Sequence, residues 1–188
     1  MTSPPSPPAP VLELAEACVR YVERALGVAL DYTPDTLSLL DHYVRAAGPD
    51  LSTKPEARQL VASTLGAYFG EVLRRHYDAS WWHAPGADPA AWQLRFDGVF
   101  LALVPFAFAS AALDPDDEGG EEGGLLLDDA EREEIAERLA ALPPLDPDEY
   151  RLLTTRYDVI EIVVDHLRAR VEAQNLGDVH LSDEDYDA

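Results

Sequence analysis

Residues 52–77 read STKPEARQLVASTLGAYFGEVLRRHY and contain the core stripe of a long helix, against which the other elements are expected to pack. Large residues recur in it every three or four positions: Val61, Leu65, Tyr68 and Val72, with Leu73 beside them. This spacing places them on one face of an α-helix. Pro55 suits the first helical turn. We therefore predict a helix that begins near Ser52 or Thr53 and ends at about Tyr77.

A second stripe in this helix consists of small residues, Ala62, Gly66 and Gly70, at four-residue steps. Glycine inside a helix costs ~1 kcal/mol relative to alanine, so two glycines in one register need a structural reason. The pattern predicts that another backbone segment packs closely against this face.

Two helices precede the glycine-containing one. Apolar residues at helical spacing over residues 11–26 predict the first helix, and Gly27 is a natural stop. The pair Thr33-Pro34 supplies an N-cap and a first helical residue, so it predicts the start of the second helix. We expect Gly48-Pro49 to end that helix.

Two more helical patterns lie in the C-terminal half. Asp128 and Glu131 have the spacing of a capping box, which predicts a helix that ends before Pro143. Asp146 is the predicted cap of the last helix. Apolar residues follow it in strict three-four alternation: Tyr150, Leu153, Tyr157, Ile160, Val164, Leu167 and Val171. A second apolar stripe accompanies this seam, so we expect the helix to be buried on two sides.

Between these regions the periodicity changes from helical to alternating. Apolar and polar residues alternate in one segment: Trp92, Gln93, Leu94, Arg95 and Phe96. This predicts a strand with one buried face. Asp97-Gly98 predicts a type I′ turn and residues 99–104 the returning strand, with residues 81–83 a candidate third strand. Residues 105–113 are predicted to form a short apolar helix.

Together these patterns predict a mainly α (α+β) fold, a bundle of five or six helices with a small antiparallel β-hairpin inserted after the third helix. A length of 188 residues suits one domain. We place this domain at residues 11–176, with the hairpin near 91–104. Three segments are expected outside the packed core: a disordered Pro-rich tail at 1–10, a flexible acidic loop at 114–124 and an acidic tail at 177–188.

The charge of the chain is strongly negative and uneven. It has 14 Lys and Arg residues against 36 Asp and Glu residues, a net charge of −22. Residues 114–188 hold 6 of the basic and 24 of the acidic residues. Such a surface repels nucleic acid, because phosphate contacts need Lys and Arg. We expect it to engage a basic protein partner, as an adaptor or as an inhibitor that covers a basic active site.

The candidate residues for binding this partner are one tryptophan and the acidic loop: Trp82, Asp116, Asp117, Glu118, Glu121 and Glu122. Trp81 and Trp82 are adjacent, so in a strand they point to opposite faces and one of them is expected to be more exposed. An exposed Trp82 would anchor an interface. Burial of Trp82 under the acidic loop is the alternative.

A second hypothesis is a small-ligand-binding or enzymatic domain with a pocket beside the hairpin. Its candidate residues are Glu71, Arg74, Arg75 and His76, with Glu71 and His76 as an acid-base pair. The alternative for the same residues is a surface salt bridge and a histidine at a helix end. We assign no catalytic residue, and we favour a non-enzymatic protein.

Metal and cofactor sites are not predicted. Asp158, Glu161 and Asp165 lie on one face of the last helix beside His166, but this stripe continues through polar residues and reads as a solvated face. The histidines lack the spacing of a zinc site, and the sequence contains neither GxGxxG nor a P-loop.

The sequence also supports predictions about the cellular compartment and the oligomeric state of the protein. The single cysteine, Cys18, excludes an intramolecular disulfide and is expected in the core. The longest apolar run, residues 99–113, is shorter than the ~20 residues that span a bilayer. We therefore expect a cytoplasmic protein without a membrane partner. A third hypothesis is a homo-oligomer that pairs through the helix at residues 150–171.

One group of short motifs resembles a pattern found in other proteins. The residues that carry it are Gly66, Tyr68, Gly70, Glu71, Val72, Trp81, Trp92, Pro105 and Phe106. Over about residues 33–113 the chain resembles a group of uncharacterised bacterial domains, in which a Gly-x-Tyr-x-Gly-Glu-Val helix precedes a Trp and a short β-hairpin. The resemblance implies this fold unit and implies no activity.

Overall fold

The computed structural model describes residues 6–114, 124–175, 177, 179–181 and 183–186. Its central element is helix α3, Pro55–His76. Each of its residues from Thr64 to Leu73 is buried, because α1 (Ala9–Leu26) and α4 (Pro105–Leu113) both pack against it. The predicted helix and its core stripe are confirmed. The mainly α fold with a small antiparallel sheet is confirmed as well.

The small-residue stripe of α3 marks two close contacts, as predicted. A Cβ atom added to Gly66 would lie 2.7 Å from Cα of Phe106, so here the backbone of α4 approaches the helix directly. A Cβ atom added to Gly70 would overlap the ring of Trp81 and lie 3.0 Å from Cγ of Pro105. Both glycines are therefore required by packing.

Helix α2 differs from the prediction at its C-terminal end. A 3₁₀ turn, Pro34–Thr36, follows Thr33, and α2 then spans Leu37–Leu51. The expectation that Gly48-Pro49 ends the helix is wrong. Pro49 removes only one backbone donor from the helix. The last turn of α2 is retained because Leu51 is buried and because the N–H of Ser52 donates to the Gly48 carbonyl at 2.9 Å.

The sheet has four antiparallel strands in the order β1-β2-β3-β4. They are β1 (Ala79–Trp82), β2 (Gln93–Phe96), β3 (Ala102–Leu103) and β4 (Leu125–Leu126). The third strand suggested at residues 81–83 is β1, which pairs with β2. Strand β4 was not predicted, because two residues are too short to show alternation.

The hairpin turn and one strand face also differ from expectation. Strand β2 ends at Phe96 and β3 begins at Ala102, so Asp97-Gly98 does not form a two-residue type I′ turn. The N–H of Asp97 instead donates to the carbonyl of Asp78. Arg95, expected on a polar solvated face, is buried.

The predicted last helix is divided in two. Its two parts are a single-turn helix, α6 (Pro147–Tyr150), and α7 (Leu153–Ala173). Helix α5 (Asp129–Ala140) precedes them. Leu152 between α6 and α7 is extended, with ψ 140°. The break is stabilised by Asp41 of α2, whose side chain accepts hydrogen bonds from the new N-terminus at Leu153.

Both apolar stripes of α7 are buried within the chain, as the two-sided pattern predicted. Helices α2, α4 and α5 contact α7 and cover it. Its buried apolar residues are Leu153, Tyr157, Val159, Ile160, Val163, Val164 and Leu167. The proposed seam for a homo-oligomer is therefore occupied by the chain itself, and this face is not available to a second copy.

Segments at the two ends lie closer to the domain than predicted. Helix α1 begins at Ala9, inside the proposed Pro-rich tail of residues 1–10. At the other end, within the proposed acidic tail, a single-turn helix, α8 (Asp183–Tyr186), places Tyr186 against the sheet. Its hydroxyl lies 3.1 Å from the carbonyl oxygen of Phe96, 3.3 Å from that of Val99 and 3.2 Å from that of Leu101. In the part of the chain that the structure describes, none of the helices combines the length and the apolar character needed to cross a bilayer.

Candidate functional site

In the described part of the C-terminal half, acidic side chains are concentrated from α5 onwards. Of the predicted candidates, Asp116, Asp117, Glu118, Glu121 and Glu122 lie outside the described residues. The acidic residues that follow them are described. We use the term acidic segment for residues 128–149, which hold nine acidic and two basic residues.

Helix α5 presents most of the acidic segment to solvent. Its N-cap Asp128 accepts a hydrogen bond from the N–H of Ala130 at 2.9 Å, which fixes where the helix begins. Ile135 is its buried residue, and Leu139 is half-buried against the core. One apolar edge therefore attaches α5 to the domain, while the remaining faces are exposed. The exposed acidic side chains include Asp129, Glu133, Glu134 and Glu137.

Two large apolar side chains are exposed inside the acidic segment. Leu142 is 46% exposed and Leu145 is 51% exposed. They lie in the loop between α5 and α6, with Glu137 before them and Asp146 after them. Their exposed apolar surface lies in sequence between carboxylates of α5 and α6.

A cleft of about 490 Å³ adjoins the end of the acidic segment. Asp148 and Glu149 of α6 lie on its edge, together with Arg45 of α2. Arg151 also lines the cleft and is 3.3 Å from Asp148 across an ion pair. The lining also includes four apolar residues, Val44, Ala112, Leu113 and Leu152, together with Asp41, Gly48 and Ser52. The cleft offers apolar surface with charged groups at its mouth.

The wall of this cleft contains a buried carboxylate that the sequence analysis missed. Asp41 is 5% exposed, and its Oδ1 accepts a hydrogen bond from the N–H of Leu153 at 2.8 Å. Its Oδ2 accepts from the N–H of Thr154 at 3.2 Å and from Oγ1 of Thr154 at 2.6 Å. The sequence contains a signal for this burial. Asp41 follows Leu37 by four positions, so it lies on the same core-facing side of α2.

The pocket candidates do not converge on this cleft. Glu71 has no exposed surface, and Arg74 binds both of its oxygens, with Nε 2.8 Å from Oε1 and Nη2 3.0 Å from Oε2. Trp81 donates its indole N–H to Oε1 at 2.8 Å, and Nε of Arg75 lies 3.6 Å from Oε2. The structure thus brings three of the four candidates together around a buried carboxylate, and the surface-salt-bridge alternative is wrong for Glu71.

His76, the fourth pocket candidate, is separate from that cluster. It is exposed, and its ring packs edge-on against Tyr77 and Tyr157, with centroid distances of 4.7 and 5.8 Å. Burial raises the pKa of Tyr77 well above its usual value, an effect reinforced by the adjacent Tyr157 hydroxyl. The arrangement is an aromatic contact between α3 and α7. It does not form an acid-base pair with Glu71.

Trp82, the predicted anchor, is engaged within the chain. The alternation of strand β1 directs Trp81 towards the helices and Trp82 to the opposite face, as expected. The guanidinium of Arg95 lies 3.7 Å from the ring centroid of Trp82 and 4.6 Å from that of Tyr186. This cation–π stack covers one face of the tryptophan. The exposed apolar surface near the acidic residues is provided by Leu142 and Leu145.

The carboxylates of α7 form a solvated face, as predicted. Asp158, Glu161 and Asp165 are all exposed. Their neighbour His166 points elsewhere, towards α5, where its Nε2 is 3.0 Å from Oε2 of Glu131. The predicted capping box between Asp128 and Glu131 is therefore wrong in its second half, because the carboxylate of Glu131 contacts α7.

Cys18 offers no nucleophile. It is buried in α1, and burial raises the pKa of its thiol to about 12. The thiol is therefore neutral at physiological pH, and the sequence interpretation of Cys18 as a core residue is confirmed.

We compared the chain with protein-family models, with curated proteins and with solved structures, and none of the three comparisons found a match. The resemblance over residues 33–113 therefore stays a prediction. Function has to be argued from the surface and the cleft described above.

Proposed function

We propose that this protein is a cytoplasmic, non-enzymatic docking module that binds a basic protein segment through residues 128–149. The observation that carries the proposal is the exposure of Leu142 and Leu145 within a segment of nine acidic and two basic residues. Charge and apolar surface occur there together, and a partner needs both to bind selectively.

The chemistry of the surface specifies the partner. Carboxylates on α5 and α6 attract Lys and Arg side chains over several ångströms and accelerate association, and salt screens this attraction. The leucines supply surface whose burial contributes short-range affinity. The matching partner is an amphipathic segment with basic residues on one side and large apolar residues on the other.

The adjoining cleft extends this surface towards the domain core. Its apolar lining accommodates an anchoring side chain, and Glu149, which also lines the cleft, offers a carboxylate to a neighbouring basic residue. Interfaces commonly concentrate their binding energy in one such anchored contact. An inhibitor that covers a basic active site is one form that this docking module would take.

The geometry around Glu71 favours docking over catalysis at the alternative site. Both carboxylate oxygens of Glu71 accept hydrogen bonds from Arg74 or Trp81, and the side chain has no exposed surface. A general acid or base has to reach its substrate, which this carboxylate cannot do in the described arrangement.

The test uses two synthetic helical peptides of about five turns each, one of Arg and Leu and one in which Ser replaces every Leu. Fluorescence anisotropy measures their binding to the full chain at about 50 and about 300 mM NaCl. We expect the Arg/Leu peptide to bind more tightly and to lose at least about tenfold in affinity at the higher salt concentration.

Matched variants locate the binding surface. The double variant L142S/L145S should weaken binding, whereas V28S/L60S should not, although Val28 and Leu60 are 46% and 51% exposed and so match the two leucines. Equal effects of the two double variants, or binding that is insensitive to salt, would show that the proposal is wrong.

A further inference from the structure

One imidazole and two carboxylates meet between α5 and α7. Nε2 of His166 lies 3.0 Å from Oε2 of Glu131 and 3.8 Å from Oε2 of Glu134. One ligand atom from each of the three residues lies within 4.8 Å of the other two. Glu131 and Glu134 are three residues apart on α5, so they share the helix face that looks at α7.

A cation already occupies the space between these carboxylates. Nη2 of Arg170 is 3.1 Å from Oε1 of Glu131, and Nη1 is 3.2 Å from Oε1 of Glu134. Both carboxylates therefore already face a positive charge. The side chain of Arg170 is 40% exposed, so it has room to move out into solvent.

We propose that Glu131, Glu134 and His166 form a binding site for a divalent transition metal, with Zn²⁺ as the preferred ion, and that Arg170 competes with the metal for this site. Imidazole and carboxylate are ordinary zinc ligands, with bond lengths of about 2.0–2.2 Å. Ligand atoms around a tetrahedral ion then stand about 3.3 Å apart. The pair formed by His166 and Glu131 is already near this spacing.

Small movements complete the site. Glu134 has to move its carboxylate about 0.5 Å closer to His166. It also has to approach Glu131 from a separation of up to 4.8 Å, and its 48% exposed side chain has room for both movements. The less exposed ligands, Glu131 and His166, at 17% and 13%, are fixed between the helices. Three protein ligands leave a fourth position for water. Bound metal would cross-link α5 to α7.

Calorimetric titration of the untagged full chain with ZnCl₂ tests the proposal. We expect one ion per chain and a loss of at least about tenfold in affinity for both E134Q and H166Q. The control E133Q alters the adjacent exposed carboxylate of α5 and should leave the affinity unchanged.

Arg170 provides the decisive comparison. Because the guanidinium and the ion compete, R170Q should bind Zn²⁺ more tightly, by about threefold or more, and the control R168Q should not. Titration with Co²⁺ should give the intense visible bands of a tetrahedral site, and these bands should be absent in H166Q. Several ions bound with equal affinity, unchanged binding in E134Q and H166Q, or weaker binding in R170Q would each overturn the proposal. Since no peptide is present, failure here leaves the docking proposal untouched.

Discussion

The carboxylate of Asp41 in α2 caps the N-terminus of α7 at Thr154, where Oγ1 of Thr154 donates to Oδ2 of Asp41 across 2.6 Å. Helix N-termini leave backbone N–H groups without partners, and these are usually satisfied by a side chain just before the helix. Here Leu152 occupies that position and has no polar atom in its side chain. A distant aspartate takes over the capping function and joins two helices at the same time.

The substitution D41N tests this cap. Asparagine keeps the shape but loses the charge and one acceptor, so a buried donor at Leu153 or Thr154 loses its partner. We expect the free energy of unfolding to fall by about 2 kcal/mol. Urea denaturation followed by circular dichroism measures the loss. The variant D50N alters an exposed aspartate of the same helix and should change stability by less than about 0.5 kcal/mol.

Alanine substitutions test the close packing of α3. At Gly66 and Gly70 the new methyl group would collide with Phe106 and Trp81, so we expect G66A and G70A each to destabilise the protein by about 1–3 kcal/mol. Gly48 of α2 is the control, because an added Cβ there meets nothing within 4 Å. The variant G48A should be neutral or stabilised by up to about 1 kcal/mol. Equal thermal stability of all three variants would contradict this account.

The buried carboxylate of Glu71 is expected to be structural. In E71Q the bidentate contact with Arg74 loses its charge, and we expect a loss of about 2 kcal/mol in the free energy of unfolding. His76 is exposed and loses only its edge-on contacts with Tyr77 and Tyr157, so H76N should cost at most about 1 kcal/mol, less than E71Q. Chemical denaturation measures both variants. A stable E71Q protein would show that this cluster is not required for folding.

The C-terminal contact of Tyr186 predicts a pH dependence. Burial raises the pKa of Tyr186 to about 12, against an ordinary value of 10.0. Since the folded state favours the neutral phenol, the contribution of Tyr186 to stability is complete below pH 10 and is lost as the pH rises towards about 12. The variant Y186F cannot ionise there, although at neutral pH it lacks a hydrogen bond worth about 1 kcal/mol.

Denaturation of the wild type and of Y186F at neutral and at alkaline pH separates the contribution of Tyr186 to the pH dependence of stability from that of the other tyrosines. The wild type should be the more stable protein at neutral pH, and its advantage should shrink as the hydroxyl of Tyr186 ionises. A constant difference across the alkaline range would mean that Tyr186 is not buried as described.

Sequence patterns predicted the local elements well and the long-range contacts poorly. The stripe from Val61 to Val72 and the glycine register placed α3 correctly, because periodicity reports the face that a helix buries. The break at Leu152 could not be predicted in this way, since its cause is Asp41, 112 residues earlier. The burial of Arg95 could not be predicted from alternation for the same reason. Its side chain is covered by Trp82 and by Tyr186, which lies near the C-terminal end of the chain.

The acidic residues predicted from the sequence to bind a partner lie outside the described residues, so that prediction stays a prediction, and the geometry of the described acidic segment could not be predicted. Composition indicated an acidic binding surface, whereas the exposure of Leu142 and Leu145 depends on a loop that has no periodic pattern. The contact between His166 and Glu131 was missed for a related reason. Spacing along α7 relates His166 only to Asp158, Glu161 and Asp165, which read correctly as a solvated face, and only the packing of α5 against α7 brings His166 to Glu131.

The distance in the chain between Asp41 and its partners has a consequence during synthesis. Leu153 follows Asp41 by 112 residues. At translation rates of about 5–20 residues per second, roughly 6 to 22 seconds separate their appearance. Helices α1, α2 and α3 are complete at residue 76, so they can form within that interval, before the backbone donors that Asp41 caps have been synthesised. The two halves of the domain therefore become mutually dependent only after most of the chain has left the ribosome.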